Sequence, residues 1–144
     1  MTVRGLWCVL TVAAIAASAC TSDAPWERFP PGWKKFLPGN RWVGAYDASR
    51  LVPHGEAVDV WLRFQWAKPQ HVGNPPKEYS IIQFHESVRC QTHEVRDDRM
   101  IAMDANGDST GGLTTAQPHW VPFASHGLTE HTLTPLCSAL RWAR

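Results

Sequence analysis

The 144-residue chain holds no uninterrupted run of the roughly twenty apolar residues that a finished transmembrane helix needs. It shows no internal repeat and no low-complexity segment. Charge of either sign is scarce in excess: 14 Lys and Arg stand against 13 Asp and Glu, for a formal net charge of +1. The basic residues are scattered, so no concentrated patch awaits a phosphate backbone, and nucleic acid is not an expected partner. Catalytic patterns are missing too. Ser109 and Ser125 lie outside any Gly-x-Ser-x-Gly elbow. Asp97 and Asp98 are adjacent on an expected strand and so point to opposite faces, which does not make a carboxylate dyad. No histidine pair has the His-x-x-x-His spacing of a helical zinc site. His85 and His93 could meet across a hairpin, but scattered strand and loop histidines are a poor basis for a metal centre. Asp104-Ala-Asn-Gly-Asp108 lacks the sixth-position Gly and twelfth-position Glu of a calcium loop and reads as a type I′ turn. Neither an enzyme, a metal nor a cofactor is expected.

What is present begins at the N-terminus. One positive charge in Met1-Thr-Val-Arg-Gly precedes a short apolar run from Leu6 to Ala17, the anatomy of a secretory signal peptide. The run ends in Ala17-Ser-Ala-Cys20, small residues before a cysteine, which resembles a bacterial lipobox with Ala17 in place of the usual Leu. On that reading residues 1–19 are removed and Cys20 is acylated. The alternative is an ordinary signal peptide cleaved at Ala19 or a little later, with Cys20 incidental. Thr21 follows the cysteine instead of the Asp that favours inner-membrane retention, which points to outer-membrane delivery, surface-exposed or periplasm-facing. The lipid would then be the membrane anchor.

Export gives the cysteine count a meaning. Cys8 leaves with the signal peptide and Cys20 takes the lipid, so Cys90 and Cys137 remain in an oxidising compartment where a disulfide persists. The alternative is two free thiols.

The 125 residues that follow the signal peptide suit a single modest domain. Residues 20–40, rich in Pro, Trp and charge, show neither strand nor helix period and read as the lipidated N-terminus and tether. Within it Trp26, Phe29, Trp33 and Phe36 would meet the membrane surface, with Lys34 and Lys35, or pack over an edge of the domain. The domain itself is expected over residues 41–144. Arg41 to Asp47 reads as a first strand. In Ala57 to Trp66, Val58, Val60, Leu62, Phe64 and Trp66 alternate with polar or amphipathic residues, so one face should lie on the core. Ala67 to Lys77, with Pro69, Gly73, Pro75 and Pro76, reads as a long polar loop. Glu78 to Cys90 and His93 to Met103 form a hairpin pair, with Ser80, Ile82, Phe84, Glu86, Val88 and Cys90 on one side. Gly111 to Ala116 is a weak short strand. Leu128 to Arg144 carries a helical stripe through Leu133, Leu136, Leu140 and Trp142. Pro135 either starts a final helix capped by Thr134 or interrupts a longer one. The fold class is therefore α+β, an antiparallel sheet of about five or six strands with a C-terminal helix on one face, tethered by a Cys90 to Cys137 disulfide.

Taken in order, Trp42 with Tyr46-Asp47-Ala-Ser49, Gly55 before Val58-Asp-Val-Trp61, the strand from Ser80 to Cys90, the Asp104-Ala-Asn-Gly107 turn, Trp120 and Cys137 resemble the surface-adhesin protein E family of bacterial lipoproteins and exported proteins. The resemblance covers about residues 41 to 140. It implies an antiparallel sheet with a disulfide-tethered C-terminal helix, which agrees with the pairing above. It also implies binding of a host matrix or serum protein at the cell surface. Arg89, where an acidic residue is common, and Met103, where an aromatic one is usual, depart from the family pattern.

For a binding surface, Trp61 and Arg63 on the polar side of their strand are the leading residues, because an exposed Trp beside an Arg makes an interface anchor. The alternative is a Trp covered by a loop or by the tether. The partners expected are the membrane through the lipid, and a protein or a second copy of the chain. The runner-up function is a periplasm-facing component that binds a small ligand or self-associates through a sheet edge.

Overall fold

The computed structural model describes residues 23–125 and 130–141. The expected signal peptide, the Cys20 lipidation site, Leu128 and Trp142 lie outside the described residues. Eight strands form one antiparallel sheet: β1 (Trp33–Leu37), β2 (Trp42–Asp47), β3 (Val52–His54), β4 (Ala57–Val72), β5 (Lys77–Arg89), β6 (Glu94–Met103), β7 (Ser109–Thr114) and β8 (Val121–Pro122). One helix, α1 (Glu130–Arg141), follows. The main path runs β1-β2-β4-β5-β6-β7, while β3 pairs with β4 and β8 with β6. Six strands on the main path match the expected number, and the two short strands add to it.

The alternation in β4 does what period two requires. Val58, Val60, Leu62 and Phe64 are at most 5% exposed, while Asp59, Trp61 and Arg63 stay half-buried on the other face. Against the apolar face lies α1, whose Leu133, Leu136, Cys137 and Leu140 join Tyr46, Val60, Leu62, Val88, Val95 and Phe123 in one core. The staple is formed: Cys90 is bonded to Cys137 with a Cα–Cα separation of 5.5 Å. Both cysteines belong to the helix-covered side, as the face shared by Phe84, Val88 and Cys90 foretold.

A 12-residue helix is about 18 Å long, and a 16-residue strand spans about 53 Å. The helix therefore cannot cover β4 from end to end, and aromatic rings take over where it stops. Phe64 is ringed by Phe36, Trp42, Trp66 and Phe84 at centroid distances of 5.9 to 6.5 Å. Gly44 makes room for it, since a Cβ there would lie 3.0 Å from Phe64 Cε1.

Three expectations are corrected, and one open alternative is decided. The segment expected to be tether enters the sheet at Trp33, because β1 pairs with β2 from Trp33↔Asp47 onward. An edge strand bonds on one side only, so β1 tolerates a bulge between Lys35 and Leu37 that erases the sequence period. Ala67 to Lys77 is not a loop throughout: β4 runs to Val72 and β5 starts at Lys77. The ladder opens between Gln65 and Gln70, where Pro69 needs no ladder donor, and resumes at Gln70↔Tyr79. The Asp104 turn is not type I′, which needs positive φ at both central residues, since neither Ala105 nor Asn106 has one and only Gly107, which follows them, does. The Asp104 carbonyl accepts from Gly107 N, and Asp104 N donates to the Asp108 carbonyl, a type I turn with a Gly bulge. Of the two readings of Pro135 the second holds, since it lies inside α1 and does not start it. The amide it lacks would have bonded the carbonyl of His131, an exposed residue where water can serve instead.

One polar residue sits deep in the core side of the sheet. Glu86, opposite Val60 on β4 and Asp97 on β6, is fully buried. Burial raises its pKa well above the ordinary value, and the neighbouring Asp97 and Asp98 carboxylates, Asp97 also through a hydrogen bond, push the same way. Asp98 is the extra residue of a bulge in β6, between the pairs His85↔Arg99 and Glu86↔Asp97. Strand alternation by itself puts Glu86 on the apolar face and excludes a dyad between Asp97 and Asp98. A cross-strand carboxyl pair was not visible without the register.

Candidate functional site

The sheet face opposite α1 carries the side chains between the core positions, and it is unusually rich in indoles and guanidinium groups. Trp61 lies opposite His85 on β5, with ring centroids 4.9 Å apart. The Arg50 guanidinium stands 5.1 Å from the Trp61 ring and 5.9 Å from that of Trp33. Arg63 approaches the same Trp33 ring, also at 5.9 Å. Toward the other edge, Arg89 and Arg96 sit 3.9 and 5.4 Å from the Trp120 ring. Arg over a Trp face is attracted by the ring quadrupole, so each pair orders a long side chain that would otherwise sample many rotamers.

Local chain geometry explains the placements. Asp47, at the end of β2, caps the short turn Ala48–Arg50: its carboxylate accepts from Ser49 N and Oγ and from Arg50 Nε. Burial alone would raise the Asp47 pKa, but the bonds from Ser49 and Arg50 outweigh it and hold the group below the ordinary value. The turn thereby swings Arg50 back over Trp33 and Trp61. Trp120 precedes β8, whose Val121↔Val95 pairing puts the indole on the outer side beside Arg96.

A polar chain links the rest. Ser87, fully buried, donates to Asp59 Oδ1 at 2.5 Å and accepts from Arg96 at 3.0 Å. His54 Nε2 also meets Asp59 Oδ1, at 2.7 Å. Asp59 is pulled below its ordinary pKa because the Ser87 and His54 bonds overcome the effect of burial. Arg96 and His85 both reach Asp98, at 3.2 and 3.4 Å. Ser87 hydrogen-bonds a carboxylate and not a histidine, so this is an orienting network and not an activated nucleophile.

The N-terminal residues 23–32 cross one end of the face. Gln65, 4% exposed, fastens them with its whole amide: Nε2 donates to the carbonyls of Trp26 at 2.7 Å and Arg28 at 3.0 Å, while Oε1 accepts from Arg63 Nε at 2.6 Å. Val43 and Ala45, paired with Gln65 and Arg63, are also fully buried on what is otherwise the polar side. Between strap and sheet a cleft of about 210 Å³ remains, with Arg28, Arg63, Ser80 and Ile81 among its walls.

Trp61 and Arg63 thus share one face, half-buried, with different neighbours. The structure adds Trp33, Arg50, His85, Trp120, Arg89 and Arg96 around them. Trp33 and Phe36, weighed as membrane contacts or edge packing, pack on the domain. The missed residues come from strands and turns far apart in sequence; an outward position in an alternating strand pointed toward His85, Arg89 and Arg96, and no such signal marked Trp33, Arg50 or Trp120. His85 and His93 are not brought together: His85 faces Arg99 across the hairpin, whereas His93, at φ 55°, stacks on Phe123 in the β5–β6 turn. Among the described residues no helix is long and apolar enough to cross a membrane.

The family model for surface-adhesin protein E matches residues 33–138. Among solved structures, protein E from non-typeable Haemophilus influenzae is similar in fold, with a TM-score of 0.52 and 12% identity over 85% of this chain and 86% of that one. No curated protein matches the sequence.

Proposed function

The chain belongs to the surface-adhesin protein E family, and from that premise we propose that it is a non-enzymatic, lipid-anchored adhesin of the outer membrane. It binds another macromolecule, of the host matrix or serum class, through the indole and guanidinium face opposite α1. The observation that carries the reading is this face itself: three Trp rings, each beside at least one Arg, on the side of the sheet that the helix leaves open. Such rings are large, rigid and amphipathic, and Arg and Trp are the residues that most often dominate protein interfaces. Cys20 supplies the anchor in this reading.

Intact cells lacking the gene, complemented with the wild-type chain or with Trp61→Ala plus Trp120→Ala, provide the test. Wild-type complementation should restore attachment to surfaces coated with matrix or serum proteins, and the double variant should not. External protease should remove the domain from intact cells. Survival of the domain until the outer membrane is opened would overturn surface display and favour the periplasm-facing alternative.

A further inference from the structure

We propose that the cleft between the N-terminal strap and the sheet is a binding site for a carboxylate carried on a small apolar group, with Arg63 as the anion-binding residue. This inference rests on the cleft's own geometry and not on the adhesin reading. Arg63 is half-buried on β4, and burial pulls its pKa below the ordinary value. A guanidinium has five N–H donors. One of them, on Nε, is held by the neutral Gln65 oxygen. Among the described residues no carboxylate lies within salt-bridge distance of Arg63, whereas Arg50, Arg89 and Arg96 each have one. A cation partly withdrawn from water in this way is stabilised by an anion that reaches its remaining fork, and a carboxylate fits that fork with two parallel bonds.

The walls define what the anion is attached to. Trp26, Pro69, Trp66 and Ile81 give apolar surface, Ser80 gives a hydroxyl, and exposed Arg28 stands at the rim. About 210 Å³ equals the liquid volume of about seven waters, enough for a carboxylate with a side-chain-sized apolar group. Phosphate fits less well, since a dianion would need more donors than one half-buried guanidinium and a mainly apolar wall supply. Gln65 is the positioning residue: its oxygen fixes the Arg63 Nε and its amide nitrogen closes the strap over the cleft. The carboxylate could belong to a free organic acid or to the end of a peptide chain, and the chemistry at Arg63 is the same for both.

The test is titration of the mature, disulfide-bonded protein, read by NMR at the Arg63 Nε–H and at the Trp26 and Trp66 indole N–H signals. Phenylacetate is the free-acid probe, with uncharged phenylacetamide and inorganic phosphate as controls. A short N-acetylated peptide ending in leucine, as free acid or amide, is the chain-end probe. Saturable shifts at those signals with either carboxylate, and binding at least about tenfold weaker for the matching amide, are expected. A response to the peptide acid alone assigns the site to chain ends, and a response to phenylacetate alone assigns it to small acids. Arg63→Gln should weaken binding by a similar factor. Because that change also removes a contact with Trp33, Ala67→Trp serves as a second variant, filling the cleft from an exposed position while leaving Arg63 intact. No shift at these signals with either carboxylate, equal binding by the amides, tighter binding of phosphate, or undiminished binding by a folded Arg63→Gln or Ala67→Trp protein would each overturn the assignment.

Discussion

Replacing Cys90 and Cys137 together by alanine removes the one covalent bond between sheet and helix, and the structure sets its worth. The bonded residues are 47 apart in sequence, so the closed loop holds 47 + 1 = 48 residues. Loop-closure entropy at that length is about 4 kcal/mol at 25 °C. The 115 described residues, 103 before the break and 12 after it, carry an unfolding entropy of about 0.24 kcal/mol/K. The double variant should therefore melt about 17 °C lower. Yet it should melt from the same fold, because Leu133, Leu136 and Leu140 are each at most 2% exposed, and their burial contributes about 6 kcal/mol that does not depend on the bond. Alanine is preferable to serine because Cys137 is buried and a hydroxyl there would need a partner. Calorimetry on the oxidised wild type, the reduced wild type and the double variant checks the figure, and hydrogen exchange on α1 checks the fold. A drop of less than about 3 °C would refute the loop-entropy argument. Loss of all α1 protection with the sheet intact would show that the bond, and not the leucines, holds the helix.

Glu86→Gln should change how stability responds to pH. A folded-state pKa raised by burial and by Asp97 stabilises the domain fully below the ordinary value of 4.5 and loses that contribution as pH climbs toward the raised value. The wild type should thus lose up to about 1.4 kcal/mol per pH unit within that window from this group, and the variant should lose less across melts at pH 4 to 8. Parallel profiles for the two proteins would refute it. Gly44→Ala should cost about 1–3 kcal/mol in denaturant unfolding, because its Cβ would press on Phe64 at 3.0 Å and on Leu37 at 3.3 Å. Gln65→Ala should cost about 1–3 kcal/mol, since it leaves two strap carbonyls and the Arg63 Nε without their present partners. Limited proteolysis should then cut first within residues 23–32. Cys20→Ser should release the protein from membranes, as fractionation would show.

Much of the architecture could be read from residues because its signals are local. Period two in β4 marked the core face, and the apolar spacing of Leu133, Leu136 and Leu140 marked the helix. Export logic reduced four cysteines to the pair that is bonded. The two misread segments share a cause, which is that pairing rescues segments with no period of their own. Trp33–Leu37 becomes a strand because β2 offers it an edge, and Pro69 is tolerated because the ladder opens beside it.

The site divides along the same line. Sequence alone determined that Trp61 and Arg63 point away from the core, since alternation along a strand is a property of the backbone. Only the tertiary structure decided what stands beside them. Trp33, Arg50, His85 and Trp120 reach that face through strand register, a capped turn and an edge pairing, each set by contacts between residues distant along the chain. Side-chain direction is written every second residue, whereas neighbourhood on a sheet is written in register, and register exists only once the strands have met.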